Sequence, residues 1–309
     1  MNILLILSLL IGVPYGYTQY SIAKIEKIHP PAGQFKIIDN IKMHYQISGS
    51  GPIVILLHAQ PSNQEQFNKL KDVLKNNYTV ISIDRPGMGY SESIKEQSPK
   101  RLMQQARLVR GLVREITNEK PIVVGHSYGG ALALSYVVQF EEEISGLIVV
   151  NTASHAWKKG KPWLPFRIIS NPLYGKLFTN TFAMLYGQTT ISSSANSNFP
   201  NGQTPSNYID DTSAALILRP KTLESYATDA LNLREALALQ QDSYAKLSLP
   251  VTIMSGDEDN VTPNKIHSYK LHNDISHSKL IKVSGVAHSI PELKPSLIKI
   301  EIEKLIKDK

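Results

Sequence analysis

A lone serine between two glycines is the residue of this sequence best suited to nucleophilic chemistry. The stretch VVGHSYGGALAL covers residues 123–134 and places Ser127 between Gly125 and Gly129. A β-branched run precedes the serine and an alanine- and leucine-rich run follows it, which predicts a tight turn from a strand into a helix. Such a turn needs small neighbours and lifts the hydroxyl above the sheet. The alternative is an ordinary strand-to-helix junction in which the serine only caps the helix.

The residues that would activate such a serine can be sought elsewhere in the chain. The backbone N–H of Tyr128 would stand at the helix start, free to donate to an anion. A serine hydroxyl also needs a base that takes its proton and an acid that orients the base. His288 is the best-placed histidine, because it follows the last apolar run, KLIKVS, in the stretch GVAHSIPELKP. Open α/β sheets bind ligands at such strand ends.

The acid is expected to follow another strand. The run GLIVVN leads to no carboxylate, whereas the run PVTIMS leads into GDEDNVTP. Asp257, Glu258 and Asp259 all satisfy this requirement, and any of them could equally belong to a solvated loop. Most of the other histidines of this half of the chain are expected at the surface, namely those at positions 155, 267, 272 and 277.

The elements that would position these residues follow from hydrophobic periodicity. Six short runs rich in valine and isoleucine suit parallel strands covered on both faces, and QFKIID and IKMHYQIS suit half-exposed strands joined by a turn at residues 39–40. Helical patterns alternate with the six runs, so the predicted fold is α/β, with a mostly parallel, doubly wound sheet. The six runs are PIVILL, YTVISID, PIVVGH, GLIVVN, PVTIMS and KLIKVS.

One segment interrupts the alternation of strands and helices. Residues 155–246 contain no strand-like run but hold both tryptophans, Trp157 and Trp163, with several phenylalanines and tyrosines. We predict a helical cap inserted after the sixth strand. Its aromatic side chains either line an apolar pocket or pack the core of the cap itself. The polar tract 187–207 is expected to form a long loop that acts as a lid.

The N-terminus carries a short apolar segment. Residues 3–13 read ILLILSLLIGV, and eleven helical residues span roughly 17 Å, too little for a bilayer core. Residues 1–20 are therefore predicted to be a signal peptide or a short membrane anchor, with a buried N-terminal helix as the alternative. The predicted location is exported or attached to the cell envelope, either periplasmic or membrane-anchored, and the alternative is cytoplasmic.

Composition restricts the other classes of function. The 309 residues carry a formal charge of +7, but the lysines are scattered and no nucleic-acid-binding motif is present, so no nucleic-acid partner is expected. The chain has no cysteine, which excludes disulfides and thiolate metal sites. No metal cluster and no phosphate-binding glycine loop can be recognised, so we expect neither metal nor cofactor.

Five motifs in a fixed order make the sequence resemble the α/β-hydrolase superfamily from residue 31 to residue 305. The resemblance implies that Ser127 is the nucleophile, His288 the general base and then acid, and Asp259 the residue that orients His288. Asp259 is singled out as the fourth residue of a pattern G-x-x-D-x-x-x-P. The five motifs are LLHAQP (56–61), DRPGMGYS (84–91), GHSYGG (125–130), GDEDNVTP (256–263) and GVAHSIPELKP (285–295).

Two of these motifs carry further implications. HAQP resembles the family's H-G-x-P loop, which implies that the N–H of Gln60 is the second oxyanion donor, beside that of Tyr128, and that the Gln60–Pro61 bond is a candidate for the cis form. Ala59 departs from the usual glycine, which puts the substrate in doubt more than the reaction. In DRPGMGYS we expect Asp84 and Arg85 to pair with each other structurally.

These observations predict a serine hydrolase that cleaves a carboxylic ester of a small or medium apolar substrate. Relatives with an H-x-x-P loop also open epoxides or displace halide, but they use an aspartate nucleophile, and this position is Ser127. The alternatives are a hydrolase of carbon–carbon bonds in diketone-like substrates and a ligand-binding protein with little turnover. The predicted division is a leader (1–20), a core in two parts (21–154 and 247–309) and a cap (155–246).

Overall fold

The apolar runs of the sequence form one eight-stranded sheet at the centre of the molecule. The computed structural model describes residues 3–158, 160, 163–171 and 173–307. Residues 1–2 of the predicted leader lie outside the described residues. The same holds for residues 308–309 of the second part of the predicted core. The strands are β1 (Gln34–Ile38), β2 (Ile41–Ser48), β3 (Ile53–Leu57), β4 (Thr79–Ile83), β5 (Ile122–His126), β6 (Gly146–Val150), β7 (Val251–Gly256) and β8 (Lys279–Val283).

The sheet is mostly parallel, as the sequence predicts. Its order is β1-β2-β4-β3-β5-β6-β7-β8, with β2 antiparallel to both of its neighbours and every other pair parallel. Every residue of β3, β5, β6 and β7 is buried. These strands read as continuous apolar runs because helices cover both faces. The doubly wound α/β fold is thereby confirmed.

Helices enclose the sheet on both sides. One apolar core forms where α2 and α12 pack on one face, and a larger one forms where α3, α4 and α10 pack on the other. The helices are α1 (Ile3–Ile28), α2 (Asn68–Leu74), α3 (Arg101–Ile116), α4 (Tyr128–Phe140), α5 (Leu164–Ile169), α6 (Gly175–Thr181), α7 (Ala183–Asn196), α8 (Tyr208–Asp211), α9 (Pro220–Gln240), α10 (Ser268–Asp274), α11 (Ile290–Leu293) and α12 (Pro295–Lys307).

Helices α5 to α9 form a cap between β6 and β7, and α9 packs against α3 and α4 of the core. The polar tract 187–207 is only partly a loop, because α7 extends through its first ten residues to Asn196. This helix buries Ala183, Met184 and Ala195 against the rest of the cap. Tertiary packing of one apolar stripe thus outweighs the turn-forming composition of the tract.

A buried cluster of charges fastens the cap to the core. Arg101 Nε lies 2.5 Å from Asp229 Oδ1 of α9, and Arg85 Nη1 lies 3.5 Å from Asp229 Oδ2, all three side chains being almost fully buried. The predicted pairing of Asp84 with Arg85 is therefore wrong. Asp84 binds His44 Nδ1 of β2 at 2.7 Å, because adjacent residues after a strand point in opposite directions.

Helix α1 lies along the cap. Thr18 Oγ1 donates to the carbonyl oxygen of Thr181, and Ser21 and Ile25 are buried at the same contact. Residues 8–13, which precede this contact, are exposed to solvent. No helix in the described part of the chain combines the length and the apolar character needed to cross a bilayer.

Candidate active site

The serine between the glycines occupies a strained turn. Ser127 follows β5 directly and precedes α4, with φ 55° and ψ −117°, a region that L-residues other than glycine rarely adopt. A Cβ at position 125 would lie 2.4 Å from the carbonyl oxygen of Gly129, and a Cβ at position 129 would lie 2.0 Å from that of Leu57. Only glycine fits either position, so the local sequence is what the turn requires.

Histidine 288 and aspartate 259 are paired. His288 Nδ1 lies 3.0 Å from Asp259 Oδ2, and both side chains are buried. The same carboxylate accepts hydrogen bonds from Thr262 Oγ1 at 2.6 Å and from the N–H of Val261 at 2.8 Å. Burial raises the pKa of Asp259, but the hydrogen bonds from His288 and Thr262 outweigh burial and hold that pKa below its ordinary value. A charged Asp259 fixes the His288 tautomer with Nδ1–H, which leaves Nε2 to act as base.

The other two carboxylates of the loop face away from His288. Asp257 accepts hydrogen bonds from Ser284 Oγ and from the N–H of Gly285, and it is exposed. Glu258 is exposed as well. Asn151, at the end of β6, holds this loop in place by accepting from the N–H of Gly256 and donating to the carbonyl oxygen of Ala287.

The histidine loop lies directly against the serine turn. The rings of His126 and His288 are 4.8 Å apart between centroids, and His126 Nε2 lies 2.7 Å from the carbonyl oxygen of His288. Within the described part of the chain the Ser127 hydroxyl forms no hydrogen bond, so its contact with His288 Nε2 stays a prediction. Hydrogen bonds of this kind often form fully only when substrate is bound.

The loop after β3 brings two more backbone groups to the site. The Gln60–Pro61 bond is cis, as predicted from the HAQP motif. The backbone N–H groups of Gln60 and Tyr128 donate to no acceptor among the described residues, so both can serve an anion. The Gln60 side chain is held aside, because its Nε2 donates to the carbonyl oxygen of Tyr226 in the cap.

A buried glutamine, which sequence reasoning missed, connects all three loops of the site. Gln66 Oε1 accepts from the N–H of Ala59, at 2.8 Å, next to the predicted oxyanion donor. Its Nε2 lies 2.9 Å from both His126 Nδ1 and Glu292 Oε1, and His126 reaches the carbonyl oxygen of His288 in turn. Burial, followed by the nearby charge of His288, lowers the pKa of His126 to about 3, so this ring is neutral and donates through Nε2 only.

We expect Gln66→Leu to lower kcat/KM roughly ten- to a hundredfold, mainly through kcat, because the oxyanion loop and the histidine loop lose their common support. Gln64→Leu is the matched control. Gln64 is buried in the same short 3-10 turn but binds Lys71 and Ser82, away from the cavity. Steady-state kinetics and thermal midpoints of both variants provide the test. Equal losses of kcat in the two variants would contradict a positioning role for Gln66.

A cavity of about 570 Å³ lies between the core and the cap. Its walls are mainly apolar, and they include Trp163, Phe166 and Tyr186 of the cap. Gln60 and His288 lie at its core side. Trp157, by contrast, packs against the core. Some aromatic residues of the segment 155–246 thus line the cavity and others pack in a core, so both interpretations offered by the sequence apply.

One region of this wall is polar. Glu292 lines the cavity, is almost fully buried, and has a pKa raised by burial in spite of its hydrogen bond from Gln66. Tyr208 of α8 also lines the cavity, and burial and the adjacent Glu292 carboxyl raise its pKa well above the ordinary value. Glu292 lies only four residues after His288 in GVAHSIPELKP, but nothing in its spacing marks it as a wall residue.

A second serine, histidine and aspartate meet elsewhere in the fold. Ser154 Oγ lies 2.9 Å from His155 Nδ1, and His155 Nε2 lies 2.6 Å from Asp274 Oδ2. Ser154 and His155 are buried, as is His267, although His155 and His267 were expected at the surface. Neither Ser154 nor His155 lines the cavity. This set therefore lacks access for a substrate and serves packing at the start of the cap.

Comparison with known sequences adds four findings. Residues 52–295 match a family model described as alpha/beta hydrolase fold. The uncharacterised hydrolase YugF of Bacillus subtilis is 26% identical over 268 residues, which cover 85% of this chain and 93% of that protein. The 2-hydroxy-6-oxo-6-phenylhexa-2,4-dienoate hydrolase of Comamonas testosteroni is 26% identical over 50% of this chain and 58% of its own length. The match to the first curated relatives, uncharacterised mycobacterial proteins, spans only 37% of their length.

Solved structures agree with the sequence matches on the fold. The epoxide hydrolase CorEH superposes with a TM-score of 0.73 at 21% identity, over 90% of this chain and 99% of that one. The enol-lactonase from Burkholderia xenovorans LB400 superposes with a TM-score of 0.72 at 15% identity, over 89% and 100%. At these identities the likeness concerns the architecture.

Proposed function

We propose that this chain, which belongs to the alpha/beta hydrolase fold family and is a hydrolase, cleaves a carboxylic ester of a small or medium apolar substrate through an acyl-enzyme on Ser127. One observation carries this proposal: Ser127 occupies a strained turn, and its neighbour His126 packs against His288, which is oriented by the buried carboxylate of Asp259. Neither a bound metal nor a cofactor is needed for this chemistry.

The reaction follows from the groups at the site. His288 Nε2 takes the proton of Ser127 as the hydroxyl oxygen attacks the ester carbonyl. The free N–H groups of Gln60 and Tyr128 stabilise the oxyanion, and each such donor is worth about 3 to 4 kcal/mol in the transition state. The alcohol leaves with the proton from His288, and water, activated by the same imidazole, then hydrolyses the acyl-enzyme.

A carbon–carbon bond hydrolase is the second candidate. The Comamonas relative is named for a substrate of the diketone type, and Glu292 with Tyr208 gives the cavity wall polar groups that such a substrate could engage. We rank ester cleavage first, because most of the wall is apolar. A protein that binds a ligand with little turnover is the third candidate, and the vacant oxyanion donors favour an enzyme over it.

The N-terminal segment supports a proposal about location. We propose that residues 1–20 direct the chain to export or to the cell envelope and that the helix is retained. Thr18 is buried and donates to the carbonyl oxygen of Thr181 in the cap, and cleavage after residue 20 would remove this contact.

A panel of chromogenic esters with graded acyl length tests the proposed reaction. We expect hydrolysis to be fastest for a short or medium acyl chain, because a cavity of about 570 Å³ limits the acyl group. A vinylogous diketone is assayed in parallel. Turnover of the diketone without turnover of any ester would replace the first candidate with the second, and binding without turnover of either would support the third.

A further inference from the structure

The N-terminal part of α1 contains an apolar segment whose side chains are exposed. Residues 8–13 are exposed on every side, and a Cβ at Gly12 or Gly16 would meet nothing within 4 Å. We call residues 8–16 the arm. A helix that is apolar all round is normally buried, either in a protein core or in lipid. The arm therefore has the surface of a segment that is covered by an apolar medium.

The cap continues this apolar surface. Helix α6 packs against α1 and lies beside α5 and α7. Large apolar side chains that are exposed concentrate on these three helices and the turns between them, and we call them the cap face: Trp163, Leu164, Leu173, Leu177, Phe182 and Tyr186. A concentration of exposed large apolar side chains on neighbouring helices is typical of an interaction site.

The segments that form this surface carry an excess of basic residues. By sequence, residues 155–209 contain five basic residues and no acidic one, and Lys24 is the only charged residue among residues 1–25. The rest of the chain mixes both signs, since it holds all 26 acidic residues. Glu224 of α9 contacts Thr179 of α6, so the excess is a net one, and an apolar face with a net basic excess is complementary to an anionic lipid surface.

The length of α1 indicates whether it could cross a lipid bilayer or only dock on its surface. The part of α1 from Ile3 to Gly16 spans about 21 Å, less than the hydrocarbon thickness of about 30 Å, and no described helix is suited to cross a bilayer. The contact of Thr18 with the cap prevents deeper insertion. The arm is thus long enough to enter one leaflet while the cap face rests at its surface.

The cavity opens toward the same side. Trp163 and Tyr186 are about half exposed at the cap face, and both also line the cavity. A substrate held in the lipid surface would meet these two rings before it reached His288. The apolar character of the intervening wall suits an acyl chain that leaves lipid without passing through water.

We propose that the arm and the cap face dock this protein on an anionic lipid bilayer and that its ester substrate enters the cavity from that bilayer. The docking itself stands independently of the reaction. The entry of the substrate rests on the proposed ester hydrolysis.

The docking is tested by flotation of full-length Ser127→Ala protein with vesicles of phosphatidylcholine, with or without phosphatidylglycerol. We expect strong binding to the vesicles that contain phosphatidylglycerol and weaker binding to the others. Leu164→Glu should lower the vesicle affinity about tenfold. Leu239→Glu is the matched control, because both leucines are 60% exposed and Leu239 lies on α9 outside the cap face. Equal effects of the two substitutions, or absence of binding to either vesicle, would overturn the docking proposal.

A second assay separates entry from reaction. Wild type and Leu164→Glu are compared on a water-soluble short ester and on a medium-chain ester embedded in the anionic vesicles. Since Leu164 does not line the cavity, we expect unchanged turnover of the soluble ester and at least about tenfold slower turnover of the embedded one. If Leu164→Glu hydrolyses the embedded ester as fast as the wild type does, entry of the substrate from the bilayer is overturned. Absence of turnover of both esters by the wild type would refute the ester hydrolysis and leave the flotation result intact.

If the cap face instead mediates self-association, Leu164→Glu will convert dimers to monomers without any effect of vesicles, which would also overturn the proposal.

Discussion

Replacing Ser127 with alanine is expected to lower ester hydrolysis at least about a thousandfold and to abolish covalent labelling by a fluorophosphonate probe. The hydroxyl is the only group of the strained turn that can form the acyl bond, and alanine keeps the backbone conformation that Gly125 and Gly129 permit. Because the side chain is small and makes no hydrogen bond within the described residues, we expect little change in the thermal midpoint.

The matched control for this substitution is Ser154→Ala. Ser154 also lies beside a histidine, His155, that contacts an aspartate, but it is fully buried and does not line the cavity. It should keep both labelling and activity. If Ser127→Ala is labelled as strongly as the wild type, the nucleophile has been misidentified. Labelling without turnover in the wild type would instead favour a binding protein.

Replacing Asp259 with asparagine is the second large effect, with an expected loss in kcat of roughly a thousand- to ten-thousandfold. The amide is nearly the size of the carboxylate, but its NH₂ group cannot accept from His288 Nδ1–H as the carboxylate does at 3.0 Å. The imidazole would then favour the wrong tautomer and lose the charge that stabilises its protonated form. Steady-state kinetics on the best ester of the panel measures the loss.

Asp257→Asn serves as the control for Asp259→Asn. Asp257 lies in the same loop but holds Ser284 and Gly285 at the surface. We expect nearly full activity, with at most a small effect on stability. A loss with Asp257→Asn that matches the loss with Asp259→Asn would mean that the loop, and not the charge beside His288, is what catalysis requires.

The strands and the turn at Ser127 could be predicted well, because both depend on residues that are close together in the sequence. The strands are apolar runs whose burial is visible as runs of valine and isoleucine, and the turn at Ser127 is fixed by glycines that no other residue could replace. Spacing alone left three carboxylates open beside His288, and the choice of Asp259 came from a resemblance. The structure pairs that residue with His288.

Features that depend on distant contacts could not be predicted. Asp84 contacts His44 on β2, forty residues earlier, and Arg85 pairs with Asp229 in the cap. The prediction that Asp84 and Arg85 pair with each other, which rested on their adjacency in sequence, was therefore wrong. Gln66 and Glu292 are polar residues in ordinary helical contexts, and their role follows from burial between three loops. Helix α7 forms in a polar tract because a few of its apolar residues are buried by tertiary packing, which the local sequence does not show.

The charge cluster that joins the cap to the core limits how freely this architecture can be rearranged. Arg85 and Arg101 belong to the core, yet their counterion, Asp229, is supplied by the cap. Arg85 also stacks 4.3 Å from the ring of Tyr128. A chain that lost or exchanged the cap would leave both guanidinium groups without a carboxylate counterion, at a cost of several kcal/mol, although each would keep its hydrogen bonds to backbone carbonyl oxygens of the core. Recombination of this cap with another core would therefore have to replace residues on both sides of the junction at once.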